Sequence, residues 1–146
     1  MRVLNLDLNL NLNLNPNLNP TPCEAMALFD HEKLNVYQES IRFVAWAQEL
    51  LEPLPKSASV HNQLDRASTS VPLNIAEGNG KYTSKDRCKF FDVARGSALE
   101  CAACLDVLAA KREVETIRVE EGKRYLVEIV SMLVGLIRAN SPDRNA

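Results

Sequence analysis

Residues 63–78, QLDRASTSVPLNIAEG, constrain the fold most strongly, because the stretch has a helical apolar spacing but carries residues that a helix interior usually rejects. Pro72 lacks a backbone N–H and crowds the carbonyl four residues earlier, which costs about 3 kcal/mol in an ordinary helix. Hydroxyls fill the preceding turn, at Ser68, Thr69 and Ser70. They can bond carbonyls that a kink at the proline frees. The stretch therefore predicts a kinked helix that places polar groups beside a packed face.

Composition favours an all-α protein. The chain has 146 residues, enough for one domain with a substantial core, and only five of them are glycine. Ala, Leu, Glu, Lys and Arg, which are strong helix formers, dominate the body of the chain. Residues 26–146 contain 16 basic and 17 acidic residues, which gives this part of the chain a net charge of −1. A nucleic-acid-binding surface, if present, must therefore be local, because strong binders usually show a basic footprint.

Apolar periodicity and end signals predict four helices. Pro53 and Pro55 stop the first, Gly78 and Gly80 stop the second, and Thr83 with Asp86 resembles a capping box at the start of the third. The predicted ranges are about 30–51 with Asp30 as N-cap, 57 or 59 to 77, 83 or 84 to 111, and 115–139. Short connections between amphipathic helices predict an up-down antiparallel four-helix bundle.

Surplus apolar surface predicts self-association. Helix one carries two apolar stripes: Leu34, Tyr37, Ile41, Val44, Gln48 and Leu51 in one, and Val36, Phe43, Ala47 and Leu50 in the other. Helix four also has two: Leu126, Ile129, Leu133 and Leu136, and beside them Val127, Val130, Val134 and Ile137. A single bundle cannot hide all of these faces. Gly96 lies in the middle of helix three, where it predicts a close helix crossing or another packing need.

The first 25 residues form a separate, low-complexity region in which Leu alternates with Asn. We interpret residues 1–25 as a disordered tail, with an edge strand or oligomer arm as the alternative, and hypothesise that Met26 is the true start. The bundle domain is predicted over residues 26–142, followed by a short tail at 143–146. No apolar run is long enough to span a membrane and no secretory signal pattern is present, which predicts a cytoplasmic protein.

Two sequence blocks carry a family resemblance. The run RASTSVPLNIAEG at 66–78, followed by FFDVARGSALE at 90–100, resembles the four-helix bundle protein family, also called 23S ribosomal RNA intervening sequence proteins. The matching positions are Arg66, Ala67, Ser70, Pro72, Asn74, Ile75, Ala76, Glu77 and Gly78, then Ala94, Gly96, Ser97 and Glu100. The resemblance covers about residues 28–139. It departs from the family pattern at Cys101 and Cys104.

The resemblance implies an up-down four-helix bundle that assembles as a homopentamer with a central channel. Related accessory proteins of diversity-generating retroelements bind nucleic acid and a reverse transcriptase, so RNA or a nucleic-acid-handling protein is the implied partner. Most members have no known biochemical role.

Polar residues of the two blocks define a first candidate site on helices two and three, at Arg66, Asn74, Glu77, Arg95, Ser97 and Glu100. Opposite charges there could pair, and a buried carboxylate would need such a partner. We interpret the set as a structural polar network that fixes helix register. A ligand or RNA site is the first alternative and catalysis the second.

The sequence predicts no enzyme, no metal and no cofactor. A carboxylate-bridged metal bundle needs Glu-x-x-His on two helices, and neither His31 nor His61 lies in such a motif. Cys101 and Cys104 share a helix face, but two thiolates leave a zinc ion half-ligated, so small core residues are the preferred interpretation over a redox or metal role. No phosphate-binding loop or nucleophile motif is present.

A short basic segment is the second candidate site. Its members are Lys81, Tyr82, Lys85, Arg87 and Lys89, with Asp86 among them. Repeated by cyclic symmetry, the segment could hold phosphates while the tyrosine stacks on a base. A non-enzymatic oligomer that binds nucleic acid is thus the predicted function. A purely structural or protein-interaction module without nucleic acid is the alternative.

Overall fold

A computed structural model describes residues 28–56 and 59–141. After a short 3-10 helix at Asp30–Lys33, the four long helices are α1 Asn35–Leu51, α2 Ser59–Asn79, α3 Ser84–Ala110 and α4 Thr116–Asn140. The described part of the chain contains no strand, so the all-α prediction is confirmed. The predicted tails at 1–25 and 143–146 lie outside the described residues.

The first helix starts five residues later than predicted. Asp30 belongs to the 3-10 helix, and Leu34 then adopts an extended conformation with φ −75° and ψ 124°. Glu32 accepts hydrogen bonds from the backbone N–H groups of Leu28 and Phe29, at 2.6 and 2.8 Å. These local bonds satisfy the backbone donors just before the 3-10 helix and stabilise that turn.

The helices pack in ring order around one core. Helix α2 packs against α3, α3 against α4, and α1 against both α2 and α4. In α1 the buried face is the predicted second stripe together with Trp46 and Leu51, whereas Tyr37, Ile41 and Val44 are only half-buried. In α4 the first stripe is buried at Leu126, Ile129 and Leu133, while Val127 in the second stripe is 65% exposed. Part of the second apolar stripe of α4 therefore stays exposed to solvent in the single chain.

Pro72 lies buried inside α2, which continues past it to Asn79. The neighbouring hydroxyls do not act as predicted: Ser68 Oγ and Thr69 Oγ1 donate to the carbonyl of Asp65, at 2.9 and 3.0 Å, rather than to the carbonyl that Pro72 leaves without a donor. A helical Ser or Thr side chain reaches the carbonyl three or four residues before its own position. The carbonyl of Ser68 is therefore out of range for these hydroxyls.

Glycines mark where helices approach each other, but not where the sequence suggested. Gly78 is buried, and a Cβ there would lie 2.9 Å from Cε1 of Phe91, so it serves packing rather than helix termination. At Gly122 a Cβ would lie 2.6 Å from Cζ3 of Trp46. At Gly96 a Cβ would meet no atom within 4 Å. The described residues thus show no close packing at Gly96, whereas Gly122 makes room for the Trp46 ring.

The α3–α4 connection contains a strained residue. Arg112 has φ 58°, the left-handed region that favours glycine. Its N–H donates to the carbonyl of Ala109, and the N–H of Glu113 donates to the carbonyl of Leu108. This is the Schellman arrangement with arginine at the usual glycine position.

We expect Arg112→Gly to raise the free energy of unfolding by up to about 1 kcal/mol, measured by urea denaturation. A loss of stability would show that the exposed Arg112 side chain makes a compensating contact.

Candidate functional site

The turn between α2 and α3 carries the basic segment and is held by a helix cap. Thr83 Oγ1 accepts a hydrogen bond from the backbone N–H of Asp86 at 3.1 Å, and its hydroxyl donates to Asp86 Oδ2 at 2.7 Å. The predicted capping position is therefore confirmed. Because the cap fixes the first turn of α3, the side chains that follow project from a defined backbone.

Arg87 is part of the turn itself. Its side chain is half-buried, and Nη2 donates to the backbone carbonyl and to Oδ1 of Asn79, at 3.0 and 3.1 Å. A cation at this position stabilises the carbonyl end of α2. Arg87, a predicted nucleic-acid contact, thus ties α3 to the last residue of α2 through Nη2, while its Nε is buried without a hydrogen-bond partner among the described residues.

The other predicted nucleic-acid contacts differ in whether their side chains already have a partner within the chain. Lys81 Nζ lies 3.1 Å from Oε1 of Glu77 and 4.7 Å from the centroid of the Phe90 ring. Lys85 and Lys89 are exposed, and neither forms an ion pair with any residue that the structure describes. The Tyr82 side chain is fully exposed. One aromatic ring and two lysines are therefore available to a ligand at the start of α3.

A second feature is an open polar groove between α2 and α3, which we call the α2/α3 groove. Its volume is about 490 Å³, and it is lined by Asp65, Arg66, Ala67, Thr69, Ser70, Leu73, Asn74, Ser97 and Glu100. Hydroxyls of Ser70 and Ser97 lie 2.8 Å apart across the helix pair. Asn74 Nδ2 donates to the carbonyl and to Oγ of Ser70, at 2.8 and 3.0 Å. The Ser70–Ser97 bond crosses from α2 to α3, and the Asn74 bonds hold Ser70 in place within α2.

The six predicted polar residues do not form one cross-helix network. Asn74 and Ser97 meet through Ser70, and Arg66 and Glu100 line the same groove. Outside it, Glu77 pairs with Lys81, and Arg95 pairs with Asp92 at 2.8 Å. Glu77 and Arg95 therefore find their partners three or four residues away in the chain, and both Glu77 and Glu100 are exposed, so neither carboxylate needs a charged partner from across the groove.

Sequence reasoning missed two groups at this site. Ser70 links Asn74 to Ser97, and the side-chain amide of Gln63 donates to Glu100 across the helix pair. Both lie on the Asn74 side of α2, because positions 63, 70 and 74 share a face at helical spacing. That spacing is the signal that could have found them.

Two of the three cysteines of α3 behave as core residues. Cys101 and Cys104 are buried, and burial raises the pKa of both thiols above the ordinary value. A thiol with a raised pKa carries little thiolate at neutral pH, and the thiolate is the reactive form. Among the described residues no group of three or more His, Cys, Asp or Glu side chains is arranged to hold a metal ion.

None of the helices described by the structure has both the length and the apolar character needed to cross a membrane.

Comparison with known proteins identifies the family. The fold is similar to the crystal structure of a protein of unknown function from the S23 ribosomal protein family of Bacteroides thetaiotaomicron VPI-5482, with a TM-score of 0.66 at 22% sequence identity over 70% of this chain and 97% of that chain. No curated protein matches the sequence. The family model described as 23S rRNA-intervening sequence protein matches residues 32–135, which include α2, α3 and the α2/α3 groove. This chain therefore belongs to the 23S rRNA-intervening sequence protein family.

Proposed function

We propose that this protein is a non-enzymatic, oligomeric four-helix bundle that binds RNA through the α2–α3 turn. The observation that carries the proposal is the exposure of Lys85 and Lys89 beside the fully exposed ring of Tyr82. Lysines neutralise phosphates, and an exposed aromatic ring can stack on an unpaired base. Lys81 adds positive charge nearby, although Glu77 partly offsets it.

Several side-chain pairs support an up-down antiparallel arrangement. Gln63 bonds Glu100, and Ser70 bonds Ser97, so positions rise along α2 as they fall along α3. The next pair of helices behaves in the same way, since Asp106 bonds Lys123 while Cys88 lies 3.5 Å from the carbonyl of Ile137. We propose a homopentamer by family resemblance, located in the cytoplasm, in which several copies of the turn act together.

Repetition matters because the chain as a whole is weakly acidic, with a net charge of −2. Two exposed lysines on one subunit neutralise few phosphates, and such a contact alone is weak. An oligomer presents the same pair several times to one RNA, and linked contacts raise the overall affinity without any new type of interaction. The proposed RNA binding thus depends on the proposed assembly.

We expect the double variant Lys85→Glu/Lys89→Glu to bind RNA at least tenfold more weakly than the unaltered protein. Each lost phosphate contact should also lower the slope of log K against log salt by about 0.7 to 0.9. The measurement is fluorescence anisotropy with a labelled hairpin derived from 23S ribosomal RNA, over a series of salt concentrations.

A matched control tests whether location or net charge decides the result. Lys56→Glu/Lys111→Glu makes the same change in charge at two exposed lysines outside the turn, and should leave the affinity within about twofold. If the unaltered protein fails to bind at low salt, or if both double variants weaken binding equally, the proposed surface is wrong.

An apolar groove favours the second candidate function, a protein-interaction module without nucleic acid. The groove lies between α3 and α4, has a volume of about 320 Å³, and includes the exposed side chains of Leu99 and Val127. Exposed apolar surface of this kind is typical of protein contacts. Absence of RNA binding together with loss of self-association or partner binding in Leu99→Glu would favour this candidate.

A further inference from the structure

Gly96 is a mid-helix glycine that its own chain does not explain. It lies inside α3, is exposed, and a Cβ there would meet nothing within 4 Å. Glycine in a helix interior is destabilising relative to alanine, so its presence usually marks a close approach of another backbone. At Gly78 and Gly122, side chains of neighbouring helices fill the space beside the glycine, whereas nothing does so at Gly96 or at Gly135 of α4. Of these two, Gly96 adjoins a lining residue of the α2/α3 groove, Ser97.

The α2/α3 groove, whose lining residue Ser97 follows Gly96 along α3, carries charges of both signs without ionic partners. Within residues 28–56 and 59–141, neither Asp65 nor Arg66 forms an ion pair, and Glu100 receives only the uncharged amide of Gln63. Leu73, on the rim of the groove, is 64% exposed. The groove thus combines an exposed apolar side chain with unpaired opposite charges, and the open backbone of Gly96 lies next to its residue Ser97 in the chain.

We propose that a helix of a second copy of this chain docks in the α2/α3 groove and passes closest at Gly96. The inference rests on the self-association in the proposed function and names the surface that performs it. A partner helix can approach the backbone of α3 most closely where α3 has no side chain, and Gly96 is the glycine within Ser84–Ala110. Leu73 would pack against the incoming helix, while Arg66 and Glu100 would meet charges of the opposite sign.

Charge complementarity identifies a second copy as the occupant. The exposed surface of α4 includes Ile117, Arg124, Val127 and Glu128, and Val127 also lines the groove between α3 and α4. It therefore offers apolar groups for Leu73, a cation for Glu100 and a carboxylate for Arg66. RNA fits the groove poorly, because Asp65 and Glu100 outnumber Arg66 and would repel phosphates. A contact between two different faces is heterologous and generates a ring when the rotation closes.

The decisive variant is Gly96→Leu. Because a Cβ at Gly96 meets nothing within 4 Å, the single chain has room for leucine and should keep its helix content. In the assembly the same side chain would occupy the position of the partner helix. Light scattering over a range of protein concentrations should show a mass well above 16.3 kDa for the unaltered protein and a shift to that monomer mass for the variant. We expect association to weaken at least tenfold.

Two further variants keep the test independent of folding. Leu73→Glu changes an exposed residue on the rim and should also dissociate the assembly. Ala45→Leu adds an exposed leucine to α1, which packs mainly against α2 and α4, and should leave the mass unchanged. Circular dichroism confirms that each variant is folded. A Gly96→Leu protein that keeps the assembled mass, an Ala45→Leu protein that dissociates equally, or a monomeric unaltered protein would overturn the inference.

Measuring RNA binding by the same samples tests the docking surface and the proposed RNA binding separately. If Gly96→Leu dissociates the assembly but the unaltered oligomer binds no RNA, the docking surface stands and the proposed RNA binding fails. If the unaltered protein binds RNA and Gly96→Leu remains assembled, the RNA surface stands and the docking surface fails.

Discussion

Gly122→Val is expected to lower the free energy of unfolding by about 3 kcal/mol, at the upper end of the range for overpacked cores. A Cβ at this position of α4 would lie 2.6 Å from Cζ3 of Trp46 and 2.8 Å from Cδ1 of Leu105. Trp46 cannot easily move away, because its ring stacks on Phe43 with centroids 5.6 Å apart and contacts Tyr125 at 6.2 Å. The clash therefore spreads into the aromatic cluster that joins α1 to α4.

Urea denaturation followed by circular dichroism measures the loss at Gly122, and the chain offers a matched control. Gly135→Val makes the same change in the same helix, at a site where a Cβ would meet nothing within 4 Å. It should leave stability unchanged or slightly raised, since valine is the better helix former. In the Trp46→Leu background, Gly122→Val should cost much less than in the unaltered protein. Equal losses at the two glycines would contradict the packing explanation.

Phe91→Ala should lower the free energy of unfolding by about 3–5 kcal/mol, as is typical for a buried phenylalanine. Its side chain is 1% exposed, and its ring occupies the space that Gly78 leaves open on α2. Removing the ring creates a cavity at the α2–α3 contact and removes the packing that holds the end of α2. A loss of this size is a large share of the 5–15 kcal/mol by which a domain is typically stable.

The adjacent phenylalanine is the control for Phe91. Phe90 is only half-buried, and Lys81 lies over its ring. Phe90→Ala removes the same atoms from a more exposed site, so chemical denaturation should give a loss less than half that of Phe91→Ala. The prediction would be refuted by similar losses in the two variants, because the Phe91 ring would then contribute no more buried packing than its neighbour.

Secondary structure was largely predictable, because the helices are long, amphipathic and bounded by strong signals. Thr83 caps α3 as its spacing with Asp86 indicates, and the apolar stripe of α4 at Leu126, Ile129 and Leu133 is buried. The start of α1 was not predictable in the same way. A residue such as Asp30 can open a 3-10 turn as readily as an α-helix, and only the local bonds of Glu32 decide between them.

Tertiary packing explains most of what the sequence did not reveal. The sequence does not distinguish three of the helical glycines. In the structure Gly78 accommodates Phe91, Gly122 accommodates Trp46, and Gly96 faces open space. Whether a glycine lies against another helix depends on the rotation of its own helix and on the angle at which the helices cross. Apolar periodicity does not determine either quantity precisely enough.

The same limit applies to the candidate sites. Arg87 and Lys85 both lie in the basic segment, but only the arginine reaches Asn79 and is held there. The partner of a long charged side chain depends on the position of a neighbouring helix end, which residue spacing within one helix cannot supply.

The bonds at the α2–α3 turn bear on the kinetics of recognition. Thr83 and Arg87 immobilise the backbone that presents Lys85 and Lys89 before any ligand arrives. A preorganised site loses only side-chain conformational entropy on binding, whereas a disordered basic segment must also order its backbone. Association at this turn should therefore proceed in a single step, with a rate that depends on ionic strength and shows no slow folding phase.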